Sequence, residues 1–325
     1  MKYLRTFLIL TVFSIILLSA CNTEEGASEE SQEEDANEGE EPMEPKELTD
    51  VLLNGGYERV HSQMSKSFQD EVSLEQLREL GKEFNTGVTT YTLQSEFPYG
   101  NGGQQYVWID DSGSKGIIAV FDQDEIIQGL QMMPLAIYPE TDEIYTETVF
   151  DLPFQDEWFV FWGGTNSLVN YHYDYENQRY AYDFVVMNED SSYEGDPTLN
   201  ESYYAFGKEY LAPADGTVVH VENSVEDNEP VGTMNEEQPF GNYVILDHGN
   251  EEYSFLVHFK HQSIEVEEGD EIKQGDLLGL VGNSGNSSEP HIHFHVADSP
   301  DPADSKSIRI NFDRDEEFIQ GDFVE

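Results

Sequence analysis

Six consecutive residues, Pro290-His291-Ile292-His293-Phe294-His295, place three imidazoles at alternate positions. On a β-strand alternate side chains share a face. His291, His293 and His295 then project together, while Ile292 and Phe294 enter the opposite layer. Two imidazoles two residues apart on a strand can meet one site, where one ligates a metal and its neighbour handles a proton. A polar strand face carrying unconnected histidines has the same spacing, so the pattern needs company elsewhere in the chain. Eight of the nine histidines lie after residue 170. No His-Glu-x-x-His motif is present, which makes histidine the natural base for any metal-assisted hydrolysis.

The elements that hold such residues must come from a very acidic chain. Its 325 residues carry 15 Lys+Arg against 67 Asp+Glu, a formal net charge of −52. Phosphate binding needs clustered Lys and Arg, so nucleic acid is excluded as a partner. A direct electrostatic grip on anionic lipid headgroups is disfavoured for the same reason. Hydrophobic residues make up 38% and aromatics 12% of the chain, enough for a packed core. The length allows two domains. A single cysteine rules out an intrachain disulfide scaffold and a Cys-based zinc finger. The acidic run 265–271 is broken by Gly269 and lacks EF-hand spacing, which reads as a solvated face rather than a calcium site.

The first twenty residues read as an export segment. Lys2 and Arg5 precede a short apolar run, FLILTVFSIILL at 7–18, too short for a spanning helix. Leu18-Ser19-Ala20-Cys21 follows and resembles the lipobox of bacterial lipoproteins, which implies cleavage before Cys21 and a lipid on that cysteine. Residues 21–48 are rich in Glu, Ser, Asn, Gly and Pro and read as a disordered acidic tether, about 90 Å long at full stretch.

From residue 49 the composition changes. Leu48, Val51, Leu52, Tyr57, Val60 and Met64 recur at helical spacing. A second helix is expected at 73–84, opened by a capping box of Ser73 and Gln76. Strands are expected at 87–97, 104–110, 115–122 and 125–134. Residues 49–150 thus form an α+β unit, read as a spacer or binding module. The segment LLNGGYERVHSQMSKSFQDEVSLEQLREL resembles an NTF2-like domain of unknown function found ahead of bacterial extracellular hydrolases. His61, the one histidine before residue 170, fits a packing or surface role. Residues 151–325 are Gly-punctuated, with strands expected at 180–187, 217–222, 242–248, 252–258, 277–282 and 291–296 and no long helical period. A mainly-β antiparallel domain is expected there.

The stretch from Gly279 through Gly282, Ser284, Gly285, Ser287 and Pro290 to His291, His293 and Phe294 resembles the C-terminal motif G-x-x-G-x-S/T-G-x-S-x-x-P-H-L-H-F of LytM/lysostaphin-type zinc endopeptidases. More of the resemblance lies upstream in order: YLAPADGTVVHV (210–221), GNYVILDHGN (241–250), YSFLVHFKH (253–261) and VEEGDEIKQGDLLGLVGNSG (266–285). It covers roughly 158–325 and implies the antiparallel sheet of that family, with its duplicated hybrid motif. By the same resemblance the metal ligands are His172, Asp183 and His293, the ion is Zn2+, and His258 and His291 are the catalytic pair. Which of the two is the general base stays open. His172 and Asp183 fall in NYHYDYENQRYAYDF, with ten residues between them where the family commonly has three, and Trp162-Gly163-Gly164 matches a family branch with that longer loop.

His295 lies one strand step beyond His293 and is expected at the surface, with a place as ligand or as support behind the ligands the lesser alternative; His220, His248 and His261 are expected to be structural or solvated. Tyr171, Tyr173, Tyr182, Tyr203 and Tyr204 can line a groove or pack. The resemblance implies cross-link peptides of peptidoglycan as substrate, outside the cell, beside a membrane reached through the lipid at Cys21. An inactive scaffold that activates other wall hydrolases is the alternative, and a zinc-storing or zinc-sensing lipoprotein a third.

Overall fold

The computed structural model describes residues 42–100, 102–314 and 317–325. The export segment, Cys21 and the tether up to residue 41 lie outside them. Among the described residues no helix is long and apolar enough to cross a membrane.

Four short helices open the fold: α1 (Leu48–Leu53), α2 (Tyr57–Ser62), α3 (Lys66–Glu71) and α4 (Leu74–Phe84). The expected first helix is two helices. Asn54-Gly55-Gly56 interrupts it, and Gly55 takes a φ of +80° that other residues adopt at a cost. α4 begins as expected, with the Ser73 side chain accepting from the Gln76 amide and Gln76 Oε1 accepting from the Ser73 amide. The folded part starts before residue 49: Met43 is fully buried, and the Gln63 side chain both donates to and accepts from the Met43 backbone. The expected tether therefore ends near residue 42, because Met43 finds an apolar site that its acidic neighbours do not.

Next comes an antiparallel sheet of β1 (Tyr91–Tyr99), β2 (Gly103–Asp110), β3 (Lys115–Phe121) and β4 (Ile127–Pro134), in that order. One face packs Tyr91, Tyr106, Trp108, Ile117, Ala119 and Phe121 against the helices. The other buries Val107, Ile109 and Leu135 against Leu168 and Val169. In β2, Val107, Trp108 and Ile109 are buried in succession, the signature of a strand covered on both sides. The first half is thus packed onto the second rather than set apart as a spacer.

After α5 (Pro139–Asp142), the remaining strands are β5 (Tyr145–Phe150), β6 (Trp158–Trp162), β7 (Tyr182–Val185), β8 (Glu209–Leu211), β9 (Gly216–Glu222), β10 (Asn242–Asp247), β11 (Tyr253–Phe259), β12 (Glu271–Ile272), β13 (Leu277–Leu280), β14 (Ile292–Ala297), β15 (Ser307–Phe312) and β16 (Phe323–Val324). Ten of them make one sheet, ordered β12-β9-β10-β11-β14-β7-β6-β16, with β15 beside β14 and β5 beside β15. Every pair is antiparallel except β5 with β15, which is parallel. That pairing is the one exception in this sheet, which is otherwise antiparallel as expected. β5 belongs to the second sheet, and the Glu252 carboxylate accepts the Glu147 and Thr148 amides of its strand.

β13 and β8 form a two-stranded ribbon whose Tyr210 and Leu278 close the main core over Leu246, Leu256, Ile292, Phe294 and Val296. The Tyr210 hydroxyl reaches the large sheet, donating to the His293 carbonyl (2.7 Å) and accepting from the Val257 amide (3.3 Å). A side chain thus fills a place in the β11–β14 ladder. Leu168→Ala should remove a buried contact that joins the halves, costing about 2–5 kcal/mol. Thermal unfolding should show a lowered but single transition, whereas two separated transitions would mean that the halves fold independently.

Candidate metal centre

β14 is the axis of the site. His293 stands opposite Asp183 on β7 and opposite Val257 on β11. Directly opposed residues of an antiparallel pair share a face, so carboxylate and imidazole meet across the ladder. His293 Nδ1 lies 2.9 Å from Asp183 Oδ1. The other carboxylate oxygen, Oδ2, lies 3.0 Å from His172 Nε2. His172, Asp183 and His293 are 2%, 5% and 3% exposed, and one ligating atom from each lies within 4.8 Å of the others.

These donors suit a zinc-like ion. Two imidazole nitrogens and a carboxylate are a common three-ligand set, and a tetrahedral ion with bonds of about 2.0–2.1 Å holds its donors about 3.3 Å apart. A carboxylate this deep is ordinarily paired or bound to metal, and among the described residues the ion-pair partners of Asp183 are all imidazoles. Burial opposes its charge, but His172, His291 and His293 outweigh that and hold the carboxyl well below the usual range. Burial also pushes His293 down to about 4, so its ring is neutral near pH 7 and a lone pair is free for a metal.

His172 comes from outside the sheet, on a single 3-10 turn at Tyr171–Asp174. Asn170, fully buried, shapes that turn. Its side-chain oxygen accepts the His172 amide at 3.1 Å, and its Nδ2 reaches the carbonyls of Gly164, Arg179 and Ala181 at 3.0, 3.3 and 3.0 Å. Gly164 must come this close: its φ is +121°, and a Cβ there would sit 2.8 Å from Val169. The first half braces the same loop. Tyr173 and Tyr180 donate to Asp142, and the Arg179 guanidinium stacks 3.4 Å over the Tyr138 ring. Among the described residues the buried His172 Nδ1 has no hydrogen-bond partner.

His258 reaches the site through a bulge. Asn242 pairs with Phe259 and Tyr243 with Val257, so His258 is the extra residue on β11. Regular alternation would send His258 into the main core with Leu256. The bulge shifts the phase, placing Phe259 in the core and the His258 ring 4.8 Å from His291 and 5.9 Å from His293. Its φ of +67° is a strained value for a non-glycine residue. The strain is held by the turn at Asn283-Ser284: Ser284 Oγ donates to the Phe259 carbonyl and accepts the Asn242 amide.

The two histidines outside the ligand set are oriented alike. A carbonyl oxygen only accepts, so His258 Nδ1 donates to Ser284 O (2.7 Å) and His291 Nδ1 donates to Glu289 O (2.8 Å). Each imidazole is then left with Nε2 as its lone-pair nitrogen while neutral. His291 Nε2 lies 3.8 Å from Asp183 Oδ1. Burial, followed by the neighbouring imidazoles, pushes His258 well below its ordinary value.

All five expected site residues are therefore gathered in one place. His295 is a correction. It is 1% exposed, stacked on Phe255 at 4.5 Å, with Nδ1 2.9 Å from His293 Nε2. The position is interior because Phe255 and Phe240 cover this end of β14. His248 bonds the Asp215 carbonyl and Ser254, His261 pairs with Glu226, His220 lies 3.4 Å from Glu268, and His61 meets the Val72 carbonyl. Of the tyrosines, Tyr173 and Tyr203 are buried, Tyr182 stacks on Phe184, and Tyr171 is 44% exposed beside the His172 ring. Tyr210 was not singled out from the sequence; Ser284 was read there only as a motif position, and Asn170 only as the first residue of the run that holds His172.

Residues 203–305 match the sequence model of Peptidase family M23. The matched span contains His258, His291 and His293; His172 and Asp183 lie upstream of it. Peptidoglycan DD-endopeptidase ShyA of Vibrio cholerae serotype O1 is 32% identical over 82 residues, 25% of this chain and 18% of that protein. Cell division protein DipM of Caulobacter vibrioides is 28% identical over 94 residues, 29% of this chain and 13% of that one. The chain thus spans less than a fifth of either. Among solved structures, the antimicrobial peptidase lysostaphin from Staphylococcus simulans is 21% identical with a TM-score of 0.26, over 39% of this chain and 40% of that chain. A zinc-containing peptidase from Vibrio cholerae is 17% identical with a TM-score of 0.27, over 60% and 52%.

Metal titration followed by elemental analysis should find about one zinc per chain. His293→Ala should abolish it, while His291→Ala should keep it. Stoichiometric zinc in folded His293→Ala protein would remove this set of ligands.

Proposed function

We propose that the chain is a zinc endopeptidase that hydrolyses peptide cross-links of bacterial peptidoglycan. The observation that carries the reading is the meeting of His172, Asp183 and His293 with His258 and His291 on one sheet face, in a chain whose residues 203–305 match Peptidase family M23. His172 Nε2, the Asp183 carboxylate and His293 Nδ1 would hold the ion. Bound there, zinc would acidify a water and polarise the scissile carbonyl.

The remaining work falls to the two oriented imidazoles. A neutral Nε2, on His258 or His291, accepts the proton of the attacking water. The protonated partner donates to the carbonyl oxygen as its charge grows, or to the leaving amine. Both rings keep Nδ1 on a backbone carbonyl, so neither has to turn over to change role. His291 Nε2 stands beside the Asp183 carboxylate, on the ligand side of the site.

Secretion, a lipid at Cys21 and a position at the outer face of the membrane complete the reading. They are supported by the sequence of residues 1–21, and the acidic tether then gives the enzyme reach toward the wall. An inactive scaffold that activates other hydrolases predicts no hydrolysis of its own. The deciding measurement is release of new amino groups from purified peptidoglycan at low and high salt. Release that a chelator stops and zinc restores is expected, with His258→Ala and His291→Ala each lowering it by at least about 100-fold while zinc stays bound. No release from folded, zinc-loaded protein would overturn the enzyme reading in favour of the scaffold.

A further inference from the structure

We infer that His295 is a positioning residue for the metal centre, fixing the ring orientation and tautomer of His293. The inference rests on the zinc reading above and deepens it. His293 has both ring nitrogens engaged: Nδ1 faces Asp183 Oδ1 at 2.9 Å, and Nε2 faces His295 Nδ1 at 2.9 Å. The carboxylate and His172 lie on the Nδ1 side, so Nδ1 is the ligating atom and Nε2 carries the proton. That proton needs an acceptor within the buried site, and His295 Nδ1 supplies it.

Metal-bound imidazoles ordinarily lean on a carboxylate or a carbonyl, and loss of that partner typically weakens metal binding 10–100-fold. Here the acceptor is a neutral ring, itself clamped between His293 and the parallel face of Phe255, 9° from coplanar. A neutral acceptor orients His293 without adding a second negative charge behind the ligand. In a chain of net charge −52, this keeps the carboxylate of Asp183 as the one anionic group of the ligand set. Among the described residues the other imidazole ligand has no such device, since none of them bonds the buried His172 Nδ1. The burden of fixing a ring by its second nitrogen therefore falls on the His293–His295 pair.

Two substitutions separate positioning from packing. His295→Phe keeps a ring against Phe255 and removes the acceptor. His295→Asn gives up the ring and restores an acceptor oxygen near the place of Nδ1. Zinc affinity is read by competition with a chromogenic chelator, and the His293 ring proton by long-range proton–nitrogen NMR of the zinc-loaded protein. His295→Phe should weaken zinc about 10–100-fold and lose the slowly exchanging Nε2 proton of His293, and His295→Asn should recover most of both. Wild-type zinc affinity in folded His295→Phe, equal weakening in the two variants, or a His293 proton found on Nδ1 would each overturn the inference. Failure of the wild-type protein to bind zinc would remove the zinc reading as well, an outcome distinct from the other three.

Discussion

A carboxylate held between two imidazoles, nearly out of reach of water, is the constraint on which this molecule turns. Removing the charge of Asp183 from solvent is costly unless something positive or strongly polar stands beside it. The fold meets that demand with rings from two directions, one across a strand ladder and one from a loop. Strand pairing sets the first distance with little freedom, because β7 and β14 cannot slip by one residue without turning His293 into the apolar core. The second distance depends on a turn with no ladder of its own, and this explains how much structure surrounds it.

That surrounding structure gives the first half of the chain a physical role. Its sheet is apolar on both faces, one for its own helices and one for Leu168 and Val169. Asp142, Thr141 and Tyr138 then hold Tyr173, Arg179 and Tyr180 on the far side of His172. A loop this long would otherwise sample many conformations. Packed from one side and hydrogen-bonded from the other, it presents a single imidazole to the sheet.

Much of this was legible in the residues. The alternation through Pro290 to His295 places the histidines of β14 on one face, and the capping box at Ser73 marks the start of α4. The extended motif around Gly282 and Gly285 pointed to the family later matched at 203–305. What escaped was long-range. Nothing local in Tyr145–Phe150 says that it pairs in parallel with Ser307–Phe312, and Met43 looks like tether until its pocket is known. His295 was misplaced because a strand step along β14 says where a side chain points but not what covers it. The bulge at His258 was likewise hidden, since a phase shift is a property of two strands and only one was being read.

Asp183 and His293 are neighbours in the sheet although 110 residues separate them along the chain. β5 and β15 are farther apart still. Contacts of that range form late and slowly during folding, since long loops must close before they bring any gain. A growing or partly unfolded chain therefore carries histidines and carboxylates but no assembled centre. The cluster of His172, Asp183 and His293 is thus a property of the finished sheet, and a chain that stops short of β14 lacks His293 however much of its first half has folded.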